Sequence, residues 1–202
     1  MSQTKHILVI IGHSSRKSLS HKLAGKYVEA ARAAGKQVTV IDIYRLNPEM
    51  PLQRYEDYSD WNKDAEVRQH YQAMIAKADK IAVFHPIWWG GMPPLLKNFI
   101  DQTLTPGFAF KYRQRWWLPR ALNVKPDGYL KGKKAHIFIT YDGYTLGFVC
   151  IAFPFITVWV VSILFWCGIT RMRFSVHQRV RWAGQSKREK WLKRAKRLGG
   201  KA

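Results

Sequence analysis

Acidic residues are scarce in this chain. Its 202 residues carry 13 Asp and Glu against 34 Lys and Arg, a formal net charge of +21. The scarcity is uneven: residues 42–79 hold 8 of the 13 acids, whereas residues 171–202 hold 12 Lys and Arg against the single acid Glu189. Residues 111–136 add 8 Lys and Arg against Asp127 alone. A polarised basic surface attracts nucleic acid, anionic lipid or anionic ligands and says nothing about fold. The basic tail contains no RNA- or DNA-binding motif, and a charged helix face is usually only solvated, so nucleic acid is set aside as a partner. Cysteine is nearly absent. Cys150 and Cys167 both lie in apolar surroundings and read as buried free thiols of a reducing compartment, with a disulfide between them as the alternative. Residues 1–6 lead directly into a strand pattern without a secretory apolar stretch, which makes the cytoplasm the expected location. Neither a Walker A sequence nor a GxGxxG fingerprint follows the first strand, which argues against dedicated triphosphate and dinucleotide loops. No internal repeat is present.

What is present is a chain 47% hydrophobic and 14% aromatic, the composition of a folded globule. Its length suits one α/β domain spanning residues 1–202. Residues 5–12 form an unbroken apolar strand, as expected when helices cover both faces. A hydroxyl-rich loop, His13 to Ser20, opens a helix with Leu23, Tyr27, Val28, Ala31 and Ala34 inward and Gly35 at its end. Such a loop is either an anion site built on free N–H groups or ordinary capping by Ser18 or Ser20. Strands are expected at 38–44, 80–84, 134–140 and 172–177, and helices at 60–78, 94–101 and about 186–198, the last capped by Ser186. Alternating strands and helices imply a parallel sheet wound on both sides. The stretch from Phe84 to Asp101 stands out. Pro86 ends a strand, Gly90 and Gly91 permit unusual backbone angles, and Pro93-Pro94 start a helix. Trp88 and Trp89 are either apolar walls for a flat ring at the carboxyl end of a strand or plugs in the core.

The segment Gly12 to Ser20 resembles the phosphate loop of the flavodoxin-like NAD(P)H:quinone oxidoreductases. Phe84 to Asp101, followed by Thr105-Pro106-Gly107-Phe108-Ala109-Phe110, resembles that family's most specific block. Residues 130–135 and 165–169 are also similar. The resemblance implies a flavodoxin-like doubly wound five-stranded parallel sheet, order 2-1-3-4-5, with helices on both faces. It implies a flavin at the carboxyl ends of strands one, three and four; the short first loop and the lack of a clear adenine-binding block between Asp42 and Tyr71 favour FMN, with FAD as the alternative. By matching positions, His13, Ser18, Leu19 and Ser20 would hold the flavin phosphate. Pro86, Ile87, Trp88, Trp89 and Gly90 would line the isoalloxazine and offer it backbone amides, and Thr140, Asp142 and Gly143 would close the pyrimidine side. Hydride would pass from NADH or NADPH to the flavin and then to a quinone-like acceptor in the same place, a ping-pong order. Two places departing from the family pattern, Phe148 and Pro154, stand where some members carry a Tyr and a His, so no catalytic acid or base is named.

The other departure is the run from Gly143 to Thr170, which contains no charged residue. It exceeds the ~20 apolar residues that span a bilayer. A span would deliver the fifth strand to the wrong side of the membrane, and Pro154 interrupts the run, leaving a helix over Phe155–Cys167. Beside such a span, the readings left open are an oligomer interface, core packing, or a peripheral patch on an anionic membrane strengthened by the basic tail. A homodimer is expected, resting on the aromatic segment 108–122 and on the resemblance. The competing function is a basic accessory subunit of a membrane protein, as some family members are of potassium efflux systems.

Overall fold

A computed structural model describes residues 5–46, 48–52, 65–112, 126–143 and 153–202. Strand β1, His6–Ile11, is buried along its whole length, as a central parallel strand with helices on both sides must be. It is flanked by β2, Gln37–Asp42, and β3, Lys80–Pro86. Strand β3 pairs in turn with β6, Lys134–Tyr141, and β6 with β7, Arg171–Gln178, all in parallel. The five-stranded order is β2-β1-β3-β6-β7. That is the expected 2-1-3-4-5 order. The two-residue strands β4, Phe110–Lys111, and β5, Asp127–Gly128, form a separate antiparallel pair. The second strand is shorter than expected, because Ile43–Arg45 turns into a 3₁₀ helix.

Helix α1, Leu19–Ala33, is capped by Ser18, whose Oγ accepts from His21 N. It packs on one face with α5, Gln185–Gly200, around Leu23, Tyr27, Phe84, Phe138, Ala195 and Leu198. The cap of α5 is Gly184, with Ser186 inside the first turn, so the expected serine cap does not form. Helices α2, Ala65–Lys77, and α3, Pro94–Thr103, cover the other face. They share it with α4, which runs over Phe153–Thr157 and continues as π-helix through Val158–Phe165. Pro154 is the second described residue of α4, and the helix continues beyond it.

The inner side of α4 buries Phe155, Trp159, Ile163 and Leu164, while Phe153, Val158, Val161 and Phe165 are exposed. Consecutive in sequence, the apolar helix α4 and the basic helix α5 lie on opposite faces of the sheet. They do not combine into one apolar and basic patch. Among the described residues no helix is long and apolar enough to cross a membrane. Cys167 is a buried free thiol. Cys150, Phe148, Trp116-Trp117 and most of the aromatic segment 108–122 lie outside the described residues.

Three buried histidines make this fold sensitive to acid. Burial lowers the pKa of His85 to about 4, against a hydrogen bond to Pro86 O that raises it. Burial, then the charges of Lys80 and Arg173, lowers His136 to about 3. His177 falls to about 4, again through burial first. The unfolded chain protonates each near ~6.5 and the folded chain does not, so stability is complete above that value and is lost as pH falls toward 4. Urea unfolding at about pH 7 and about pH 5 should differ by roughly 5 kcal/mol, near 1.4 kcal/mol per unit for each histidine. A flat profile over that window would contradict the burial of these three rings.

Candidate functional site

The carboxyl ends of β1, β3 and β6 bring three loops together. In the first, residues 12–18, Gly12 N donates to Phe84 O at 2.8 Å and extends the β1–β3 pairing. A β-carbon there would come within 2.8 Å of Leu96 Cδ2, so only glycine lets this loop pass so close to α3. His13 Nδ1 accepts from Ser15 N at 3.0 Å, which places the ring proton on Nε2 as a donor. Burial, followed by the nearby His21, lowers the pKa of His13 and favours that neutral form. The first-turn N–H groups of α1 have no intrahelical acceptor. Ser18 Oγ takes that of His21 at 3.3 Å, while those of Leu19 and Ser20 have no partner among the described residues.

Behind Ser18 stands a polar chain. Its Oγ lies 3.0 Å from His21 Nδ1, and His21 Nε2 lies 3.1 Å from Asp42 Oδ2. The carboxylate accepts only, so His21 Nε2 carries a proton. Arg45 closes the chain, donating to Asp42 at 3.1 and 3.2 Å and to Ser14 O at 2.9 Å. Sequence reading did not single out His21, Asp42 or Arg45. The i,i+3 spacing of Ser18 and His21 was the available signal, whereas Asp42 arrives only through strand order.

The second loop is a two-residue turn. Trp88 N donates to Gly91 O and Gly91 N to Trp88 O, both at 2.9 Å, with Trp89 at φ 49° and Gly90 at φ 74°. Positive φ at both central positions defines a type I′ turn, favoured by Asn or Gly and strained for a bulky residue. Trp89 is fully exposed at 106% and Trp88 is 38% exposed, so neither is a core plug. Trp88 meets His13 edge to face, with ring centroids 5.6 Å apart. Ile87 N donates to Thr140 O at 2.9 Å. The amides of Ile87 and Trp88 are therefore used within the chain, and those of Trp89 and Gly90 have no partner among the described residues.

The third loop follows β6. Thr140 pairs in register with Pro86, and its Oγ1 lies 3.2 Å from Ser20 Oγ, both residues being buried. Asp142 is exposed and accepts from Arg181 N at 2.8 Å, while Gly143 is half-buried against the Tyr141 ring. All twelve residues singled out from the sequence thus sit at one end of the sheet. Leu19 is there as a buried packing residue, with only its backbone N–H available. Just behind Pro86, His85 Nδ1 donates to Pro86 O at 2.8 Å, leaving Nε2 a bare buried acceptor. The N–H of Trp159, whose ring centroid is 5.6 Å away, is likewise buried without a partner among the described residues.

A family model described as flavodoxin-like fold matches residues 5–199. The chain belongs to the flavodoxin-like fold family. Within that family, it is 28% identical over 138 residues to an uncharacterised NAD(P)H oxidoreductase of Haemophilus influenzae, covering 67% of this chain and 63% of that protein. It is 28% identical over 134 residues to an FMN-dependent NADH:quinone oxidoreductase of Listeria innocua, covering 58% of this chain and 59% of the other. The chain spans about three-fifths of the length of the curated relatives it matches. Among solved flavodoxin-like structures, an NAD(P)H:quinone oxidoreductase from Methanothermobacter marburgensis superposes with a TM-score of 0.77 at 24% identity, covering 98% of each chain.

The strain in the turn is measurable. Trp89→Gly should raise the urea-derived unfolding free energy by about 0.5–1 kcal/mol, because glycine adopts positive φ without steric cost. Trp89→Ala, which removes the ring and keeps the β-carbon, should change it little. A loss of stability in the glycine variant would mean that the exposed ring itself holds the turn.

Proposed function

We propose that the chain is a flavin-dependent NAD(P)H oxidoreductase acting on a quinone-like or azo acceptor. One observation carries the reading: a hydroxyl-lined helix N-terminus and a strained, solvent-facing tryptophan turn lie side by side at one edge of a flavodoxin-like sheet. The oxidoreductase names of the relatives support it, and the name of the Listeria innocua relative supports FMN as the flavin and a nicotinamide dinucleotide as the donor.

The residues present fit a flavin phosphate. The unpaired N–H groups of Leu19 and Ser20 and His13 Nε2–H are donors at the positive end of α1, beside the Ser18 hydroxyl, whose own proton goes to His21 Nδ1. The Asp42 carboxylate behind the loop is already engaged by His21 and Arg45. Pro86, Ile87 and Trp88 form an apolar wall for the isoalloxazine, with the N–H groups of Trp89 and Gly90 as its hydrogen-bond donors. Thr140, Asp142 and Gly143 close the pyrimidine side. The bound flavin supplies the hydride chemistry, and the chain supplies binding and orientation. Donor and acceptor would use the same open face beside Trp88 and Trp89 in turn, which is a ping-pong order. No side chain is assigned as acid or base.

The phosphate assignment is tested by Ser18→Asp. Aspartate caps a helix as well as serine does, so folding should persist. Its charge should weaken flavin binding by at least about tenfold, through repulsion of the phosphate. The readout is the flavin absorbance near ~450 nm of purified, folded protein. Stoichiometric flavin in that variant would remove the loop from the site.

A second copy of this chain is proposed as the cover for the exposed apolar row on α4. Wild type should sediment as a dimer at micromolar concentration, and Val158→Lys with Val161→Lys should give a folded monomer. A monomeric wild type would eliminate the homodimer.

A further inference from the structure

We propose that the opposite, amino edge of the sheet is a second ligand site, shaped for a soluble molecule carrying a pyrophosphate or longer polyphosphate group. Strand register assembles it. Lys80 opens β3 directly opposite Lys134 at the start of β6, and Lys134 lies opposite Arg171 at the start of β7. Side chains two apart share a face, so Arg173 and its register partner His136 follow on the same side. That side faces α1 and α5: Lys80 Nζ stands 5.7 Å from the centre of the Tyr27 ring. Lys201, beyond the end of α5, completes the wall. The result is a cavity of about 300 Å³ lined by Lys80, Lys134, Arg171, Arg173, Lys201 and His136, with no acid in its lining.

This arrangement works against folding. Like charges directly opposite on adjacent strands are destabilising. Among the described residues none of the five cations has an ion-pair partner. The neighbouring carboxylate, Asp79, is turned to His6 N at 2.8 Å and to the charge of Lys133. Burial and the charges of Arg173, Lys134 and Lys5 push the Lys80 pKa down to about 8. Protein surfaces ordinarily disperse such charges. Here the register holds them around a concavity, and a ligand of several negative charges would turn mutual repulsion into attraction.

The donor types select the ligand. Two guanidinium groups at alternate positions of one strand present planar forks that match phosphate oxygens in pairs, and the lysines add point charges. A single carboxylate offers too little charge for five cations, and the cavity has room for two linked phosphates. The site is separate from the flavin edge. Five residues of β3 and of β6 lie between this cationic row and the Pro86–Thr140 pair, roughly 20 Å at the rise of a parallel strand.

Calorimetric titration of the full-length protein with pyrophosphate, in sodium chloride at matched ionic strength, tests this. Wild type should bind, and Lys134→Gln with Arg173→Gln should bind at least about tenfold more weakly. Ser18→Asp, altered at the flavin edge, should bind pyrophosphate as wild type does. So should Lys187→Gln with Lys190→Gln, which removes two exposed charges from the far half of α5. Equal weakening in all variants would mean diffuse attraction to a basic protein and would overturn the site. Loss of pyrophosphate binding in Ser18→Asp alone would assign it to the flavin edge and would also overturn it. Wild type that ignores pyrophosphate yet binds phosphatidylglycerol vesicles through Lys134 and Arg173 would replace the soluble ligand with a lipid headgroup.

Discussion

The carboxyl edge of this sheet depends on Thr140. Pro86 lacks an N–H and would end the β3–β6 ladder, but Ile87 N resumes it by donating to Thr140 O at 2.9 Å. That bond fixes where the tryptophan turn begins. The hydroxyl of the same residue meets Ser20 at 3.2 Å and so ties the start of α1 to β6. One residue therefore sets the relative positions of all three loops. A hydrogen bond buried in this way contributes only about 0.5–1.5 kcal/mol net, but leaving either partner unpaired costs more. Its value lies in alignment: anion-binding N–H groups and an apolar wall are useful together only when held in a constant relation.

The two edges of the sheet are chemically opposed. At the carboxyl edge Asp42 is shared between His21 and Arg45. At the amino edge cations stand in register without counter-charges among the described residues. The net charge of +21 is thus not spread evenly over the molecule. The basic helix α5 reaches the amino edge only at its end, through Leu198 and Lys201, and otherwise packs on α1. The apolar helix α4 lies across the sheet from it. The described part of the apolar run and the basic helix therefore do not share one flat face of the sheet.

Much of the fold was legible because parallel strands buried on both faces leave unbroken apolar runs, as in Ile7 to Ile11 and Ile137 to Ile139. Ends were less legible. Ser186 resembles a cap in sequence, but the backbone of α5 turns at Gly184, two residues earlier. The tryptophan loop was legible as a loop, since Pro86, Gly90 and Gly91 restrict or free the backbone in known ways. Which amides it leaves unpaired was not, because Ile87 N is taken by a strand more than fifty residues later in the chain.

The sequence by itself determined the alternation of strands and helices, the burial of both sheet faces and the twelve residues at the carboxyl edge. The first two rest on local periodicity and on proline and glycine stereochemistry, and the twelve residues on the resemblance of short stretches to the quinone oxidoreductases. Tertiary structure decided what depends on strand register and on the choice of face. It brought His21 to Asp42, put Trp89 into solvent at a positive φ, sent α4 and α5 to opposite sides, and aligned Lys80, Lys134 and Arg171. These residues are far apart in the chain, and no local propensity records which of them will meet.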